Sequence, residues 1–243
     1  MKRIIVIGDI HGGLKAFLQI IERASVTTDD TLIFLGDYVD GWSESAQVID
    51  HLIDLAKRQS CVFIKGNHDV WCEDWLRTGL ADTKWLLHGG KETIESYRAI
   101  DDNIKQQHLA FFQQMKMFYI DEQNRLFIHA GFTSMQGPEQ EFYSSNYGWD
   151  RTLWEMALTM DERIEKNSLL FPKRLKLFTE IYIGHTPTLY YNSTIPMRGC
   201  NVWNIDTGAA FTGKLSLMDI DTKEFWQSDP LPRLYSNEKG RNK

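Results

Sequence analysis

The sequence predicts an α/β fold in which helices pack on mixed β-structure and the chemistry sits on loops at strand ends. Three observations point there. Apolar runs of strand length, Ile4–Ile7, Leu32–Leu35 and Val62–Ile64, alternate with helical periodicities in the first half. The last third returns to short alternating stretches separated by Gly, Thr and Asp turns. Five apolar runs are each followed directly by a short pattern rich in Gly, Asp or His, which is where α/β sheets place their ligands.

Taken in order, Ile4–Ile7 reads as a buried first strand, and after Gly12-Gly13 the residues Leu14, Phe17, Leu18, Ile21 and Ala24 recur at helical spacing. Leu32–Leu35 is the second strand. Behind Ser43-Glu44-Ser45, Ala46, Val48, Ile49, Leu52, Ile53 and Ala56 form a second helical stripe that leads to the third strand, Val62–Ile64. This is a β-α-β-α-β succession with a motif at each strand-to-helix turn. Between Val70 and Met117 the pattern turns helical and aromatic, through Trp71, Trp75, Trp85, Phe111 and Phe112. It predicts a helical insertion over about residues 70–117 near the mouth of the site, although core packing accounts for those rings equally well. Leu126–Ile128 and Ile181–Ile183 are further strands, and Val202–Ile205, Leu215–Ile220 and Glu224–Gln227 complete a mixed sheet. Residues 1–229 are expected to form one domain. Residues 230–243, polar and punctuated by Pro and Gly, are expected to hang off it as a tail.

At 243 residues the chain can bury one sizeable core, and its 42% apolar and 25% charged residues are ordinary for a globular protein. A net charge of −6 argues against a surface that tracks a nucleic-acid backbone, and no apolar stretch is long enough to span a bilayer. Cys61, Cys72 and Cys200 are scattered without metal-site spacing, so reduced thiols in a cytoplasmic protein are expected. Met1-Lys2-Arg3 runs straight into the first strand, leaving no room for a signal peptide. Without secretion, the Asn192-Ser193-Thr194 sequon is a chance match. Gly208 to Lys214 imitates a phosphate-binding loop, but Leu215 stands where Ser or Thr is required and the residues beyond alternate like a strand. His51, His88 and His108 are lone histidines and receive no role.

The five patterns are Gly8-Asp9-Ile10-His11-Gly12, Gly36-Asp37-Tyr38-Val39-Asp40, Gly66-Asn67-His68-Asp69, His129-Ala130-Gly131 and Gly184-His185-Thr186-Pro187. Singly, such Gly-Asp or Gly-His pairs mark ordinary turns. Five in order, each behind a strand, supply hard oxygen and imidazole ligands for two adjacent metal ions. One carboxylate can bridge two ions, and Asp37 is the candidate bridge. Asp9 and His11 would complete one site, and Asn67, His129 and His185 the other. Two such ions lower the pKa of a bound water and neutralise a phosphoryl oxygen under in-line attack, which is the requirement of phosphoester hydrolysis. His68 is the candidate acid for the leaving group. Asp40 would orient its imidazole and hold it protonated.

These residues resemble the phosphoprotein phosphatase family of calcineurin-like metallophosphoesterases, whose pattern is GDxHG, GDxVDRG, GNHE, HAG and a later GH. The match from Asp9 to His185 spans about three quarters of the chain. The resemblance implies two packed mixed sheets flanked by helices and the metal ligands Asp9, His11, Asp37, Asn67, His129 and His185. It also implies the acid pair His68 and Asp40, with Mn²⁺, Fe or Zn²⁺ as the ions and Mn²⁺ expected here. The length and the Trp149-Asp150-Arg151 segment are most similar to small bacterial and bacteriophage members. There an Arg at this place grips the substrate phosphate, a role carried to Arg151, with Asn67 also facing the phosphate.

Two departures from the pattern matter. Gly41-Trp42 stands where the family has Arg-Gly, so one guanidinium of the phosphate clamp is missing, with Arg77, Lys91 and Arg198 as unranked replacements. Asp69 replaces Glu after Asn67-His68 and leaves the ligands untouched. Pro187 stands where wider members of the superfamily place a second ligand His, which keeps the chain nearer the phosphoprotein branch. The leading expectation is therefore a serine/threonine protein phosphatase-like phosphomonoesterase acting on a phosphoprotein or small phosphoester. The alternative is a dinucleoside polyphosphate hydrolase of the diadenosine tetraphosphate type, for which Trp42 and the Trp-rich region 71–85 could stack a base. A non-catalytic binding module is a third, weaker reading. Nucleic acid and membrane partners are not expected.

Overall fold

The computed structural model describes residues 2–242. Strands β1 (Ile4–Ile7), β2 (Thr31–Phe34) and β3 (Ser60–Phe63) run parallel, and β9 (Ser216–Asp219) and β10 (Phe225–Gln227) extend the sheet antiparallel from β1, giving the order β10-β9-β1-β2-β3. A second sheet has the order β4-β5-β6-β8-β7, formed by β4 (Phe118–Ile120), β5 (Leu126–Ile128), β6 (Ile181–Ile183), β8 (Val202–Asn204) and β7 (Met197–Gly199). Its central strands β5, β6 and β8 are parallel, and both edge strands are antiparallel to their neighbours. Strand residues thus divide between two packed mixed sheets.

Side-chain alternation explains the layers. Val6 and Ile33 point to one face of the first sheet and, with Leu35, meet Phe127, Tyr182 and Ile205 of the second, while Met218 and Ile220 close the same core. Ile5, Ile7, Leu32 and Phe34 point the other way, onto helices α1 (Leu14–Arg23) and α2 (Ser45–Ala56). A strand covered on both faces needs apolar residues throughout, which is why β1 and β2 read as runs rather than alternations. Over the second sheet lie the short helices α7 (Asn146–Trp149), α8 (Thr152–Leu158) and α9 (Lys173–Lys176), with Leu153, Trp154 and Leu175 packed on Leu126 and Ile128.

The stretch read as helical holds α3 (Asn67–Thr78), α4 (Thr83–Trp85), a π-turn over Leu86–Gly90, α5 (Lys91–Ser96) and α6 (Asp102–Gln114). Gly79 ends α3 in the left-handed conformation, and the Asp101 carboxylate caps α6 by accepting from the Asn103 and Ile104 N–H groups. Trp75, Trp85 and Phe112 pack into the core of the first sheet rather than standing apart from it.

The expectation for residues 230–243 is corrected over the part described. Leu231 and Tyr235, in and just after α10 (Leu231–Leu234), are buried in the first core. Glu238 accepts from the Ser43 N–H and hydroxyl at 2.9 and 2.8 Å, and the Arg241 N–H donates to the Ala210 carbonyl at 2.8 Å. The physical reason is that two apolar anchors in a short polar stretch suffice to seat it where a preformed groove receives them. Lys243 lies outside the described residues.

Candidate active site

The parallel strands β1, β2 and β3 end at one edge of the first sheet and β5 and β6 at one edge of the second, and the loops leaving all five ends meet. Glycine allows that meeting. A Cβ on Gly184 would lie 2.1 Å from Asp9 Oδ1, and one on Gly66 would lie 2.1 Å from Asp37 Oδ1, so neighbouring loops could not close with any larger residue. The functional residues themselves carry backbone strain. His11, Asp37, Asp40 and His185 sit at φ of 52°, 54°, 76° and 65°, a left-handed region that costs a non-glycine residue about 1 kcal/mol or more.

Each ring is aimed by its backbone partner. His11 Nδ1 donates to the Val39 and Asp40 carbonyls, both at 3.1 Å, and His129 Nδ1 donates to the Leu35 carbonyl at 2.8 Å, which leaves both Nε2 atoms facing inward. Asp37 Oδ2 lies 3.6 Å from His11 Nε2 and 3.3 Å from His129 Nε2, while Oδ1 accepts the His68 N–H at 3.0 Å. Asn67 Oδ1 is 3.2 Å from His129 Nε2, and Asp9 Oδ2 accepts the His185 N–H at 3.0 Å. Two sets of potential ligand atoms, His11 with Asp37 and His68, and Asp37 with His129 and His185, each gather within 4.8 Å, and Asp37 belongs to both.

The donor set fits divalent cations. Asp9 Oδ1 and His185 Nε2 are buried with no hydrogen-bond partner among the described residues, and a buried polar atom without a partner is costly. Burial and the nearby Asp206 push the Asp9 carboxyl well above its usual range. Burial opposes charge on His129, yet Asp37 and Asp9 outweigh it and raise its pKa to about 10. Crowded buried carboxylates among imidazoles are the arrangement that bound cations relieve.

Asp40 lies beneath His68, with Oδ2 2.5 Å from His68 Nδ1. The helical stretch orients it: Trp85 Nε1 donates to Oδ2 and Thr93 Oγ1 to Oδ1, both at 2.6 Å. Burial drives the Asp40 carboxyl up to about 8 and the His68 imidazole down to about 3. The contact puts Asp40 where it can orient the His68 imidazole. In so dry a site a neutral pair sharing one proton is favoured over two separated charges.

Above the cluster is a cavity of about 190 Å³, lined by His11, Asp37, Asn67, His68 and His185, by the rings of Trp71, His88, Trp149, Tyr190 and Phe211, and by Arg151 and Arg241. Arg151 thus stands where the sequence put it. The other three candidate cations do not reach the cavity: Arg77 pairs with Asp74, Arg198 Nε donates to the Cys200 carbonyl, and Lys91 lines a separate surface hollow. Trp42 is buried in the core, its Nε1 donating to the Ala209 carbonyl at 2.7 Å, and is no stacking platform.

Several lining residues escaped the sequence reading. His88, given no role, stacks on Trp71 with the rings 6° from parallel, whereas His108 is a satisfied core histidine between Tyr97 and Asp50. Asp206 also lines the cavity and is buried. Its signal was available: Val202–Asn204 is a strand followed at once by Ile205-Asp206-Thr207-Gly208, the same form as the other loops. For Arg241 no local signal exists.

A profile of calcineurin-like phosphoesterases matches residues 2–209. Among similar proteins, the bis(5'-nucleosyl)-tetraphosphatase PrpE (asymmetrical) of Bacillus mycoides (strain KBAB4) is 28% identical over 235 residues, covering 87% of each chain. The protein of the same name from Geobacillus sp. (strain WCH70) is 27% identical over 237 residues, covering 88% of this chain and 89% of its own. Among solved structures, one provisionally described as a diadenosine tetraphosphatase superposes with a TM-score of 0.63 at 16% identity, covering 93% and 92% of the two chains. A serine/threonine phosphatase of Saccharomyces cerevisiae gives 0.62 at 13% identity, covering 94% and 80%. Both likenesses are of fold.

Proposed function

The chain belongs to the calcineurin-like phosphoesterase family, and from that premise we propose that it is a two-metal hydrolase of dinucleoside polyphosphates, cleaving its substrate asymmetrically into a nucleoside triphosphate and a nucleoside monophosphate. The observation that carries this reading is the aromatic mouth of the cavity. Trp149 and Tyr190 line it yet remain 45% and 65% exposed, and exposed rings beside a polar, anion-seeking cluster are what a nucleobase stacks on. The volume of about 190 Å³ suits the phosphoryl groups, so the bases would rest at the mouth. The names of the relatives at 27–28% identity support the same reading.

In this reading Asp37 would be shared by both ions, with Asp9 and His11 to hold one and Asn67, His129 and His185 to hold the other, and Mn²⁺ is the expected metal. When bound, the ions supply an activated water and neutralise the attacked phosphoryl group. Arg151 and the Asn67 side chain hold the phosphate. The leaving oxygen takes the proton of His68 Nε2 while Asp40 returns one to Nδ1, which leaves the negative charge on the Asp40 carboxylate, where the Trp85 and Thr93 donors hold it. Residues 1–229 act as one domain, with the segment after them seated on its first core through Leu231 and Tyr235.

The phosphomonoesterase reading has less behind it, because a phosphoserine side chain has no use for the exposed rings and the yeast phosphatase shares fold alone. Purified protein with Mn²⁺ should be assayed on diadenosine tetraphosphate, p-nitrophenyl phosphate and phosphopeptides. Preference for the dinucleotide by two or more orders of magnitude in kcat/KM, with ATP and AMP as products, is expected. Preference for phosphopeptides would return the phosphomonoesterase reading, and no turnover on any ester would favour a binding module.

A further inference from the structure

We propose that Arg241, delivered by the polypeptide after α10, supplies the second phosphate-binding guanidinium of the site in place of the one missing at Gly41. The inference rests on the phosphoester reading of the site but not on which ester is cleaved.

The exchange is visible in the packing around Gly41. A Cβ built there would lie 3.2 Å from Arg241 Cγ and 3.7 Å from Cδ, so the arm of Arg241 occupies the space into which a side chain at 41 would begin to grow. Gly41 has φ +110°, where other residues are strained. The neighbouring departure contributes as well. Trp42, standing where the family pattern has Gly, forms part of the seat for the incoming segment. Its ring stacks on Tyr235 at 5.1 Å, and a Cβ on Gly240 would lie 2.6 Å from Trp42 Cζ2. Ser43 holds Glu238 through both its N–H and its hydroxyl. Gly41, Trp42 and Ser43 thus lose one arginine and dock another.

The docked arginine is free to act. Its backbone N–H is fixed to the Ala210 carbonyl at 2.8 Å, and its guanidinium carbon lies 5.3 Å from the centroid of Phe211, which shares the cavity wall. Nε is buried and has no hydrogen-bond partner among the described residues. A guanidinium so held, facing a cavity with a metal-ligand floor, lacks an acceptor with two oxygens, and a phosphoryl group provides one. Arg151 lines the same cavity, so an anion there would be met by two guanidinium groups.

Titration calorimetry of inorganic phosphate into the Mn²⁺-loaded protein tests this without reference to substrate. Arg241→Ala should weaken phosphate binding by about 10- to 100-fold, with metal content and Tm unchanged. Arg241→Lys, which keeps the charge but loses the fork, should recover part of it, and Arg77→Ala, Lys91→Ala and Arg198→Ala should each bind as the parent does. Equal phosphate affinity in the parent and Arg241→Ala overturns the assignment even if the dinucleotide is cleaved. An Arg198→Ala loss as large as that of Arg241→Ala overturns it too. Failure to cleave diadenosine tetraphosphate would remove the proposed substrate and leave the phosphate comparison standing.

Discussion

At Asp37 the backbone N–H is tied to Asp69 at 2.8 Å and Oδ1 is tied to the His68 N–H at 3.0 Å, so only Oδ2 is left to face the imidazoles of His11 and His129. His68 stands differently. Its ring belongs to a potential ligand set with His11 and Asp37, but its Nδ1 is already engaged by Asp40, which is the basis for proposing it as a proton donor rather than a metal anchor. His68→Asn should lower kcat by about 10²- to 10⁴-fold while metal content, read by elemental analysis, stays at the parent value. Loss of an ion in that variant would make His68 a ligand. The residues of the five loops were legible because each behaves locally: an apolar strand stops, a glycine admits the neighbouring loop, and the ligand follows. His88 and Tyr190 were not, because a lone ring shows its neighbours only after folding. Arg241 was the furthest from view, since its meaning depends on a glycine 200 positions earlier.

Between elements, two carboxylates do most of the tying. Asp69, at the start of α3, accepts from the backbone N–H groups of Asp37, Tyr38 and Gly66 at 2.8, 2.9 and 2.8 Å, joining the loop after β2 to the loop after β3. Asp69→Ala would strand three buried N–H groups and should cost at least about 3 kcal/mol in urea unfolding. Asp30, which leads into β2, pairs with Arg3 ahead of β1 at 2.6 Å, and the Arg3 hydrogen bond holds its carboxyl down at about 2. A folded-state pKa below the unfolded one gives stability that is present above about pH 4 and lost as pH falls through about 2. Arg3 and the Thr27 N–H together should therefore contribute about 2 kcal/mol at neutral pH, and Asp30→Asn should remove it there and leave acid unfolding below pH 2 nearly unchanged. The strands and the first two helices could be read from periodicity, because burial on one or both faces fixes their patterns. The seating of α10 could not, since Leu231 and Tyr235 are unremarkable until Gly13, Trp42 and Lys15 form a surface for them. Leu231→Ala should cost about 3 kcal/mol, whereas a free tail would give almost nothing.

For the molecule as a whole, two sheets bring their strand ends together so that one sheet contributes Asp9, His11, Asp37 and Asn67 and the other His129 and His185. An ion held between them would bridge the halves and bind only the folded chain. Chelation should therefore lower Tm, by the equivalent of about 3 kcal/mol per site at a metal concentration near 100 times its Kd. That a mixed sheet would form was legible in the strand patterns. Its division into two faced layers was legible only through the family resemblance, because the partner of each strand is chosen by contacts far apart in the chain. Everything proposed for the site turns on Asp37 joining two ions in one centre. Electron paramagnetic resonance of the Mn²⁺-loaded protein, with the metal counted in the same sample, tests it most directly. Two Mn²⁺ per chain with an exchange-coupled spectrum that Asp37→Asn abolishes is the predicted result, and a single ion, or two uncoupled ions unaffected by that change, would contradict it.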